Sequence, residues 1–279
     1  MVVGEGMFRM GVITDEISRD LGRAVEVARD LNLECVELRD VWSKNVKDLK
    51  NVEVRKVKRL LQAADLDVAC IASPFFKCHL ASNQEVQEHL QFLPRLIEIA
   101  QALDTDLVRV FAFWTVGSLD QHWNEIVERL REAVEIAEAE GAILALENEH
   151  TTYLGKGCEV RRAVEEVGSG SLRVVWDPGN AFCAGEVPYP DGYREARDYM
   201  VHMHVKDALL DPETGKPRFV RVGTGEINYD GQFKALLDDR YEGCVSIETH
   251  YQLPNDGERS TRETVEGVKE ILRKLGVGT

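Results

Sequence analysis

The chain has 279 residues, of which 44% are hydrophobic and 30% charged, and its formal net charge is −15. This composition is typical of a soluble globular protein, and on length alone the chain could form one (β/α)8 barrel or two smaller domains. The acidic balance argues against a nucleic-acid binder, which needs a basic face, although a local basic pocket for a small phosphate stays compatible with it.

Strand-like and helix-like segments alternate from one end of the chain to the other. Apolar residues recur at three- and four-residue spacing in the helical stretches, most clearly in 85–103, 124–140 and 264–275. Asp230 is predicted to be the N-cap of a further helix. Eight strands are predicted, at 9–14, 35–39, 67–72, 106–111, 143–147, 172–176, 201–205 and 244–248.

Eight β-then-α units with no Pro/Gly/Ser linker predict one parallel (β/α)8 TIM barrel that forms a single domain over 1–279. The main competitor is an open doubly wound sheet. The first strand, however, is followed by TDEIS instead of the glycine-rich turn that a dinucleotide-binding sheet would carry there. Residues 207–229 are too polar and turn-rich for one helix, so we expect a long loop after the seventh strand.

The cysteines and the N-terminus bear on the cellular compartment. None of the six cysteines forms a CxxC pair, and three of them lie in apolar strand-like runs, so buried reduced thiols are expected rather than a disulfide or zinc framework. The first residues, MVVGEGMFRMGV, contain no basic stretch followed by an apolar segment, and no apolar run approaches the roughly 20 residues that cross a bilayer. We therefore expect a cytoplasmic protein.

Four segments in the second half of the chain end an apolar run with a residue that can bind a divalent cation. The segments are LALENEH, VVWDPGNAF, VHMHVKDA and VSIETH, and the residues are Glu147, Asp177, His204 and Glu248. Consecutive parallel strands would bring these residues together at their C-terminal ends, where barrels keep their active sites. Taken singly, each is more often the first solvated position after a buried run, so it is their joint occurrence that predicts a metal site. Three carboxylates and one imidazole suit a catalytic Mn²⁺, Mg²⁺ or Co²⁺ better than a structural zinc.

Strand periodicity adds polar neighbours to this quartet. Because successive side chains of a strand alternate, His202 and Lys206 share a face with His204. In the fifth strand the same rule does not choose between Glu147 and Glu149, since both lie on one face.

In these residues and their order the chain resembles a known family, the xylose-isomerase-like barrels grouped as sugar phosphate isomerases/epimerases. The family includes tagatose and psicose 3-epimerases, hydroxypyruvate isomerase and inosose dehydratase, and the resemblance runs from GVITDEIS through SPFFK to the end of the chain. In that family a Glu, an Asp, a His or Gln and a Glu after strands five to eight bind one divalent metal. The matching residues are Glu147, Asp177, His204 and Glu248, and the family's pattern of a His two residues ahead of the ligand selects His204 over His202. The segment VGTGEINY is similar to the loop after strand seven of hydroxypyruvate isomerase.

The resemblance also implies a chemistry. In the family's epimerases the two metal-bound glutamates, here Glu147 and Glu248, are the proton-transfer pair, and the metal stabilises the enediolate formed when a proton is removed next to the carbonyl. The implied function is isomerisation or epimerisation of a small keto or aldo sugar, or sugar phosphate. One divalent ion is implied, with Mn²⁺ as first choice and Mg²⁺, Co²⁺ or Zn²⁺ as alternatives. Asn180 departs from several epimerases, which have a His there; Asn can bind a substrate hydroxyl but cannot shuttle protons.

Six further residues are predicted to bind substrate, although each has an ordinary alternative as a surface or core residue. They are Asn180, His202, Lys206, Arg221, Lys77 and Trp114. Lys77, together with His79, and Arg221 could hold an anionic group, and Trp114 with Phe113 is expected to wall the pocket. His150 and His250 are candidates for orienting the metal ligands.

Three other functions stay open at this point. A dehydratase, that is a lyase acting on a keto-polyol such as inosose, would use the same metal site, because proton removal next to a carbonyl can end in loss of a β-hydroxyl. An endonuclease IV-like hydrolase shares the barrel but needs a histidine-rich multi-zinc site and a basic face, and both Asn180 and the acidic charge argue against it. A non-enzymatic binding barrel would lack a working quartet. The expected partner is a small carbohydrate, with neither nucleic acid nor membrane, and a homo-oligomer is compatible with the sequence.

Overall fold

Eight parallel strands form a closed barrel in the computed structural model, which describes residues 8–251, 253 and 256–278. Each strand pairs with its neighbours in chain order, and the first pairs with the last. The predicted (β/α)8 barrel is therefore confirmed, and every predicted strand is present with bounds within three residues. The strands are β1 (Arg9–Ile13), β2 (Cys35–Leu38), β3 (Asp67–Phe75), β4 (Leu107–Val110), β5 (Ile143–Glu147), β6 (Leu172–Trp176), β7 (Met200–Val205) and β8 (Cys244–Ile247).

Helices alternate with the barrel strands. They are α1 (Leu21–Asp30), α2 (Asn51–Ala63), α3 (Asn83–Ala102), α4 (Leu119–Glu140), α5 (Gly157–Val167), α6 (Pro178–Cys183), α7 (Tyr229–Asp238) and α8 (Gly257–Lys274). Shorter helical turns occupy Thr14–Ile17, Val46–Asp48, Pro188–Gly192, Tyr193–Ala196 and Arg197–Tyr199. The three clearest predicted helices are present but begin earlier than predicted, two of them because Ser82 and Asp256 cap α3 and α8. In the part of the chain that is described, no helix combines the length and the apolar character needed to cross a membrane.

Two predictions for the segment after β7 were wrong. The N-cap of α7 is Asn228, whose side chain accepts a hydrogen bond from the backbone of Gly231, and Asp230 lies inside the first turn. Residues 207–229 are not simply a loop, since Asp207–Leu210 and Pro217–Val220 pair as an antiparallel hairpin. Asp211 closes the hairpin by accepting hydrogen bonds from the backbone N–H groups of Glu213 and Thr214. The polar sequence DPETG is equally compatible with an irregular loop, so composition alone did not predict this turn.

The glycine-bearing loop after this hairpin is folded around a carboxylate of the protein itself. Asp207 accepts hydrogen bonds from the backbone N–H groups of Gly223, Gly225 and Ala208, each at 2.9 Å. A Cβ atom at Gly225 would collide with the same carboxylate, so only glycine fits there. The VGTGEI stretch is thus an internal turn that fixes the end of β7.

A layer of small side chains fills the barrel interior near the N-terminal ends of the strands. Cys35, Ala69 and Cys244 form this layer, and a Cβ atom at Gly11 would lie 2.7 Å from the Cys244 sulfur. All six cysteines are free, and those at 35, 70 and 244 are buried, as predicted. Burial also raises the pKa of Cys78, in the loop after β3, to about 12 and that of Cys183, the last residue of α6, to about 11, so neither thiol is activated.

Candidate active site

The four predicted ligand residues meet at the C-terminal end of the barrel. Glu147, Asp177, His204 and Glu248 are all buried, and one donor atom from each lies within 4.8 Å of the others. His204 is at the centre, because its Nδ1 atom is 3.4 Å from Glu147 Oε1, 3.7 Å from Asp177 Oδ2 and 3.8 Å from Glu248 Oε2. The parallel strands β5 to β8 therefore bring together residues that are up to 101 positions apart in the chain.

The imidazole of His204 is oriented by Glu37, a residue of β2 that the sequence analysis did not identify. Glu37 Oε1 lies 3.1 Å from His204 Nε2 and 2.6 Å from His202 Nε2, so both rings can donate to one buried carboxylate. With Nε2 engaged in this way, Nδ1 of His204 is left to face the quartet. Holding the far nitrogen of a histidine on a carboxylate is how proteins fix the tautomer of a metal-binding imidazole. His202, predicted to bind substrate, is fully buried and belongs to this supporting contact.

Asp177 is fixed from two sides. Its backbone N–H donates to the side chain of Asn148, which in turn donates to the Asp177 carbonyl, so the ends of β5 and β6 are locked together. Asp177 is also the N-cap of α6, and its Oδ1 accepts from the backbone of Asn180 at 2.8 Å. Oδ2 is thereby directed to the quartet. The side chain of Asn180 donates to Glu147 Oε1 at 2.9 Å and lies 3.1 Å from His150.

Two arginines hold the other oxygens of the glutamates, and the sequence analysis identified neither. Arg109 Nη1 lies 3.3 Å from Glu147 Oε2 and 4.0 Å from Glu248 Oε1, and Arg39 Nη1 lies 3.2 Å from the latter atom. The carboxylates therefore turn one oxygen to the quartet and the other to a guanidinium. The available signal was a charged residue flanked by apolar ones, in the strand runs CVELR and LVRVF.

Lys206 brings a third cation directly to the quartet. Its Nζ atom lies 2.7 Å from Asp177 Oδ2 and 2.5 Å from Glu248 Oε2, and the side chain is 2% exposed. This confirms that Lys206 shares a face with His204. It also places the ammonium among the ligand oxygens themselves.

Burial opposes every charge in this cluster, and the charges of opposite sign outweigh it. Burial alone would lower the pKa of Lys206, but Asp177 and Glu248 raise it well above its usual value. Burial likewise opposes ionisation of these two carboxyls, yet Lys206 lowers the pKa of Asp177 and holds that of Glu248 well below its usual range. For His204 the carboxylates of Glu37 and Glu147 overcome burial and raise the pKa well above its usual value. The opposite charges of the cluster therefore favour the ionised form of each of these groups at neutral pH.

Buried donor atoms that lack a hydrogen-bond partner indicate whether the quartet fits a cation. His204 Nδ1 and Asp177 Oδ2 are buried, face the quartet and make no well-directed hydrogen bond, although the Lys206 ammonium lies 2.7 Å from Asp177 Oδ2. Such atoms are costly unless something satisfies them. A divalent cation shared by the four residues would do so, and the mixture of carboxylate and imidazole donors is one that Mn²⁺, Mg²⁺ and Zn²⁺ all accept.

Two other groups of ligand-type residues lie close together within the described ranges. In the first, Glu37 is already bonded to both His202 and His204. In the second, Arg39 pairs with both carboxylates of the set Glu16, Glu248 and His250. In both groups the carboxylates are already engaged by histidines or by an arginine, and the quartet brings four ligand-type residues together where each of the other groups brings three, so the quartet is the better cation site.

A cavity of about 330 Å³ opens beside the quartet. Its lining contains Glu147 and Glu248 together with Arg109 and two other predicted residues, Lys77 and His250. The ammonium of Lys77 bonds Glu149 at 2.8 Å and lies 4.2 Å from the centre of the Phe111 ring and 5.6 Å from that of Trp114. Lys77 lines the cavity but already pairs with a carboxylate of the protein, and Trp114 lies behind it without belonging to the lining, so substrate binding by either residue stays a prediction. The volume is that of a small-molecule site.

Two predicted anion-binding residues lie elsewhere. Arg221 donates to the backbone of Glu263 and pairs with Glu270, so it is fastened to α8 and does not line the cavity. His79 is mostly exposed and pairs with Glu85. Of the two candidates for orienting ligands, His250 lies 3.6 Å from Glu248, while His150 lies 3.0 Å from Glu149 and touches the quartet only through Asn180.

The described residues thus form a closed (β/α)8 barrel with a buried carboxylate–imidazole quartet at the C-terminal strand ends. The chain belongs to the xylose isomerase-like TIM barrel family, whose model matches residues 25–273. An uncharacterised protein of Methanocaldococcus jannaschii, MJ1311, is 26% identical over 248 residues, which are 84% of this chain and 80% of that protein.

Solved structures with the same fold include proteins of several activities. One is described as the probable 3-DHS dehydratase AsbF of Bacillus anthracis (17% identity, 94% of this chain and 99% of that one, TM-score 0.77). A D-tagatose 3-epimerase-like protein is 21% identical over 96% of this chain and 98% of its own, with a TM-score of 0.76. A Mycobacterium smegmatis barrel in complex with magnesium is 20% identical over 91% of this chain and 87% of its own, with a TM-score of 0.69. At these identities the likeness shows the fold, which is shared by epimerases and dehydratases.

Proposed function

We propose that this protein is a divalent-metal-dependent isomerase or epimerase that moves a proton on a small keto or aldo sugar or sugar phosphate. The observation that carries the proposal is the buried quartet, in which four ligand-type residues bring one donor atom each within 4.8 Å of the others, and His204 Nδ1 and Asp177 Oδ2 make no well-directed hydrogen bond. Glu147, Asp177, His204 and Glu248 would hold the ion. Mn²⁺ is our first choice, and the magnesium in the Mycobacterium smegmatis relative makes Mg²⁺ its closest competitor.

A divalent ion bound there would supply Lewis acidity, which makes a proton next to a carbonyl easier to remove. The protein supplies the groups that move the proton. Glu147 and Glu248 both line the cavity, and they come from strands three places apart around the barrel, so their carboxylates face the cavity from different directions. One can therefore remove a proton while the other returns one, as a two-base reaction requires.

The surrounding residues hold these two glutamates in place. Asn180 donates to Glu147 Oε1, Arg109 lies between Glu147 Oε2 and Glu248 Oε1, and Arg39 pairs with Glu248 Oε1. Fixed orientation is what a positioned base needs, because catalysis of proton transfer depends on the distance and angle of approach. Lys77 lines the cavity beside Glu149, with the ring of Trp114 next to it, and would contact the part of the substrate that does not react.

The test combines metal analysis with isotope exchange. The protein is purified in Mn²⁺, its metal content is measured, and a panel of ketoses, aldoses and their phosphates is incubated with it in D₂O. We expect about one metal ion per chain and, for a substrate, deuterium at the carbon next to the carbonyl. A metal-loaded protein that exchanges no hydrogen of any sugar in the panel would refute the proposed reaction class, and a protein that retains no metal would favour a binding barrel instead.

A dehydratase is the second candidate, and one observation favours it. Elimination of a β-hydroxyl needs an acid for the leaving oxygen, and Lys206 places a buried ammonium 2.5 Å from Glu248, in addition to the two carboxylates. Incubation with inosose separates the two candidates, because a dehydratase would form an unsaturated or diketone product that absorbs ultraviolet light, whereas an epimerase would not.

A further inference from the structure

Lys206 neutralises two of the groups that we assign to the metal. The oxygens it contacts, Asp177 Oδ2 at 2.7 Å and Glu248 Oε2 at 2.5 Å, are the same ones that lie 3.7 and 3.8 Å from His204 Nδ1. Arg109 and Arg39 approach Glu248 only through its other oxygen. Lys206 is thus the cation that shares ligand atoms with the expected ion.

The lysine is held in this place by its own surroundings. Its backbone N–H donates to the hydroxyl of Tyr229 at 3.1 Å, and that hydroxyl donates to the Lys206 carbonyl at 2.8 Å. Its aliphatic chain crosses Gly179, where a Cβ atom would collide with Lys206 Cγ and lie 3.1 Å from Cε. A side chain at position 179 would therefore displace the lysine, and the absence of one lets the ammonium reach the carboxylates.

We propose that Lys206 is a positioning residue that serves as the resident counter-cation of the quartet. It holds Asp177 and Glu248 together before the metal arrives, and it then competes with the divalent ion for the same two oxygens, so that it sets the metal affinity. The inference rests on the proposed metal site.

Two electrostatic arguments give the direction of each effect. Two cations that share carboxylate oxygens in a buried site repel each other strongly, so the divalent ion must bind against the charge of the lysine. Removal of the lysine charge takes away this repulsion. In the metal-free protein the same removal leaves two buried carboxylates without their compensating charge, which destabilises the fold.

The experiment measures metal affinity directly and does not depend on turnover. Wild type, Lys206→Gln and Lys206→Met are purified in Mn²⁺, stripped with a chelator and titrated with Mn²⁺ alone in a calorimeter. The control is Lys234→Gln. Lys234 is a lysine of α7 that also pairs with an aspartate, Asp238, but both of these side chains are exposed, whereas the quartet is buried. Melting temperatures are recorded for each protein in chelator and in saturating Mn²⁺.

We expect both Lys206 variants to bind Mn²⁺ at least about tenfold more tightly than wild type, given the strength of buried charge interactions. They should melt at a lower temperature than wild type in chelator and gain more from Mn²⁺, while Lys234→Gln behaves as wild type in affinity. Lys206→Met keeps the inference testable if Lys206→Gln does not fold.

Equal or weaker Mn²⁺ binding by the Lys206 variants would overturn the inference, since a lysine that only contacts substrate would give that result. If neither wild type nor the variants bound Mn²⁺, the metal site itself would be refuted and the inference with it. Binding by the variants but not by wild type would support the inference, because the lysine would then be the group that keeps the ion out.

Discussion

Replacement of Glu37 by Gln tests whether the supporting contact below His204 sets the metal affinity. Glu37 Oε1 lies 2.6 Å from His202 Nε2 and 3.1 Å from His204 Nε2, and all three side chains are fully buried. Glu37→Gln keeps the shape but removes the charge, and its amide NH₂ would face an N–H donor. A hydrogen bond to a charged group contributes roughly 1.5–3 kcal/mol, and loss of such a partner weakens metal binding about 10- to 100-fold.

The same substitution should also change how the Mn²⁺ affinity depends on pH, which gives a second, independent test. Burial opposes the protonated form of His204, but Glu37 and Glu147 raise its pKa well above the usual value, so a metal must expel a proton to reach Nδ1. Without the Glu37 charge the pKa of His204 is lower, so protons compete less with the metal for Nδ1 at neutral pH. This offsets part of the loss of metal affinity. We therefore expect the affinity deficit of Glu37→Gln to be smaller at neutral pH and larger in alkaline buffer.

The assay is calorimetric titration of chelator-stripped protein with Mn²⁺ at both pH values. Glu34→Gln is the matched control, because Glu34 precedes the same strand but is exposed at the opposite end of the barrel from the quartet. An Mn²⁺ affinity of Glu37→Gln that equals that of wild type at both pH values would refute the role of Glu37, and an equal loss in Glu34→Gln would show that the effect is not local.

Three further predictions concern the reaction, the pH dependence of stability and the barrel interior. Glu147→Gln and Glu248→Gln keep a ligand oxygen but lose the base, so turnover should fall far more than Mn²⁺ occupancy does; equal losses of both would contradict the two-base assignment. Burial lowers the pKa of His89 to about 4, from 6.5, and its Nδ1 accepts from the Phe76 backbone, so the neutral ring stabilises the fold. The contribution of the neutral ring to the free energy of unfolding is complete above pH 6.5 and is lost as the pH falls toward 4. With solvent screening, the loss should be roughly 2 kcal/mol. Denaturant unfolding at the two pH values should show a smaller loss for His89→Gln than for wild type. Gly11→Ala would push a Cβ atom to 2.7 Å from the Cys244 sulfur and should cost about 1–3 kcal/mol in the free energy of unfolding; full stability of this variant would show that the layer is loosely packed, whereas partial recovery in Gly11→Ala with Cys244→Ala would support the contact.

The quartet could be predicted from the sequence because each member follows an apolar run at a strand end. The order of the chain and the known geometry of parallel barrels then bring the strand ends together, and the structure places the four donor atoms within 4.8 Å. The roles of these residues as ligands and bases stay predictions. Glu37 and Arg109 were missed for a physical reason: a single charged residue inside a strand run is normally taken for the solvent-facing side, and only closure of the sheet turns that side into the barrel interior.

The segment after β7 shows the opposite limit of sequence patterns. Its polar, turn-rich composition correctly excludes a helix, but composition does not reveal that Asp207–Leu210 pairs with Pro217–Val220. Arg221 was predicted as an anion clamp because arginines in loops near a site often have that role. The hairpin instead leaves it against α8, where it pairs with Glu270. Whether two such short segments pair as strands depends on tertiary contacts, and the sequence alone does not determine it.

The balance of charge inside the barrel explains how an acidic quartet can be buried before any metal is present. Considered as ligands only, Glu147, Asp177 and Glu248 would repel one another in a space from which water is excluded. The structure surrounds them with Lys206, Arg109 and Arg39, none of which the quartet pattern itself contains, and each of these cations lies within 4.0 Å of at least one of the three carboxylates. The glutamate oxygens that face the arginines are held by them. Of the oxygens that face His204, those of Asp177 and Glu248 contact the ammonium of Lys206, and that of Glu147 accepts a hydrogen bond from Asn180. At the proposed metal site, a divalent ion would replace this ammonium and the proton of His204 while the arginine contacts stay in place, so we expect its affinity to depend on Lys206 and on the Glu37 contact of His204 together.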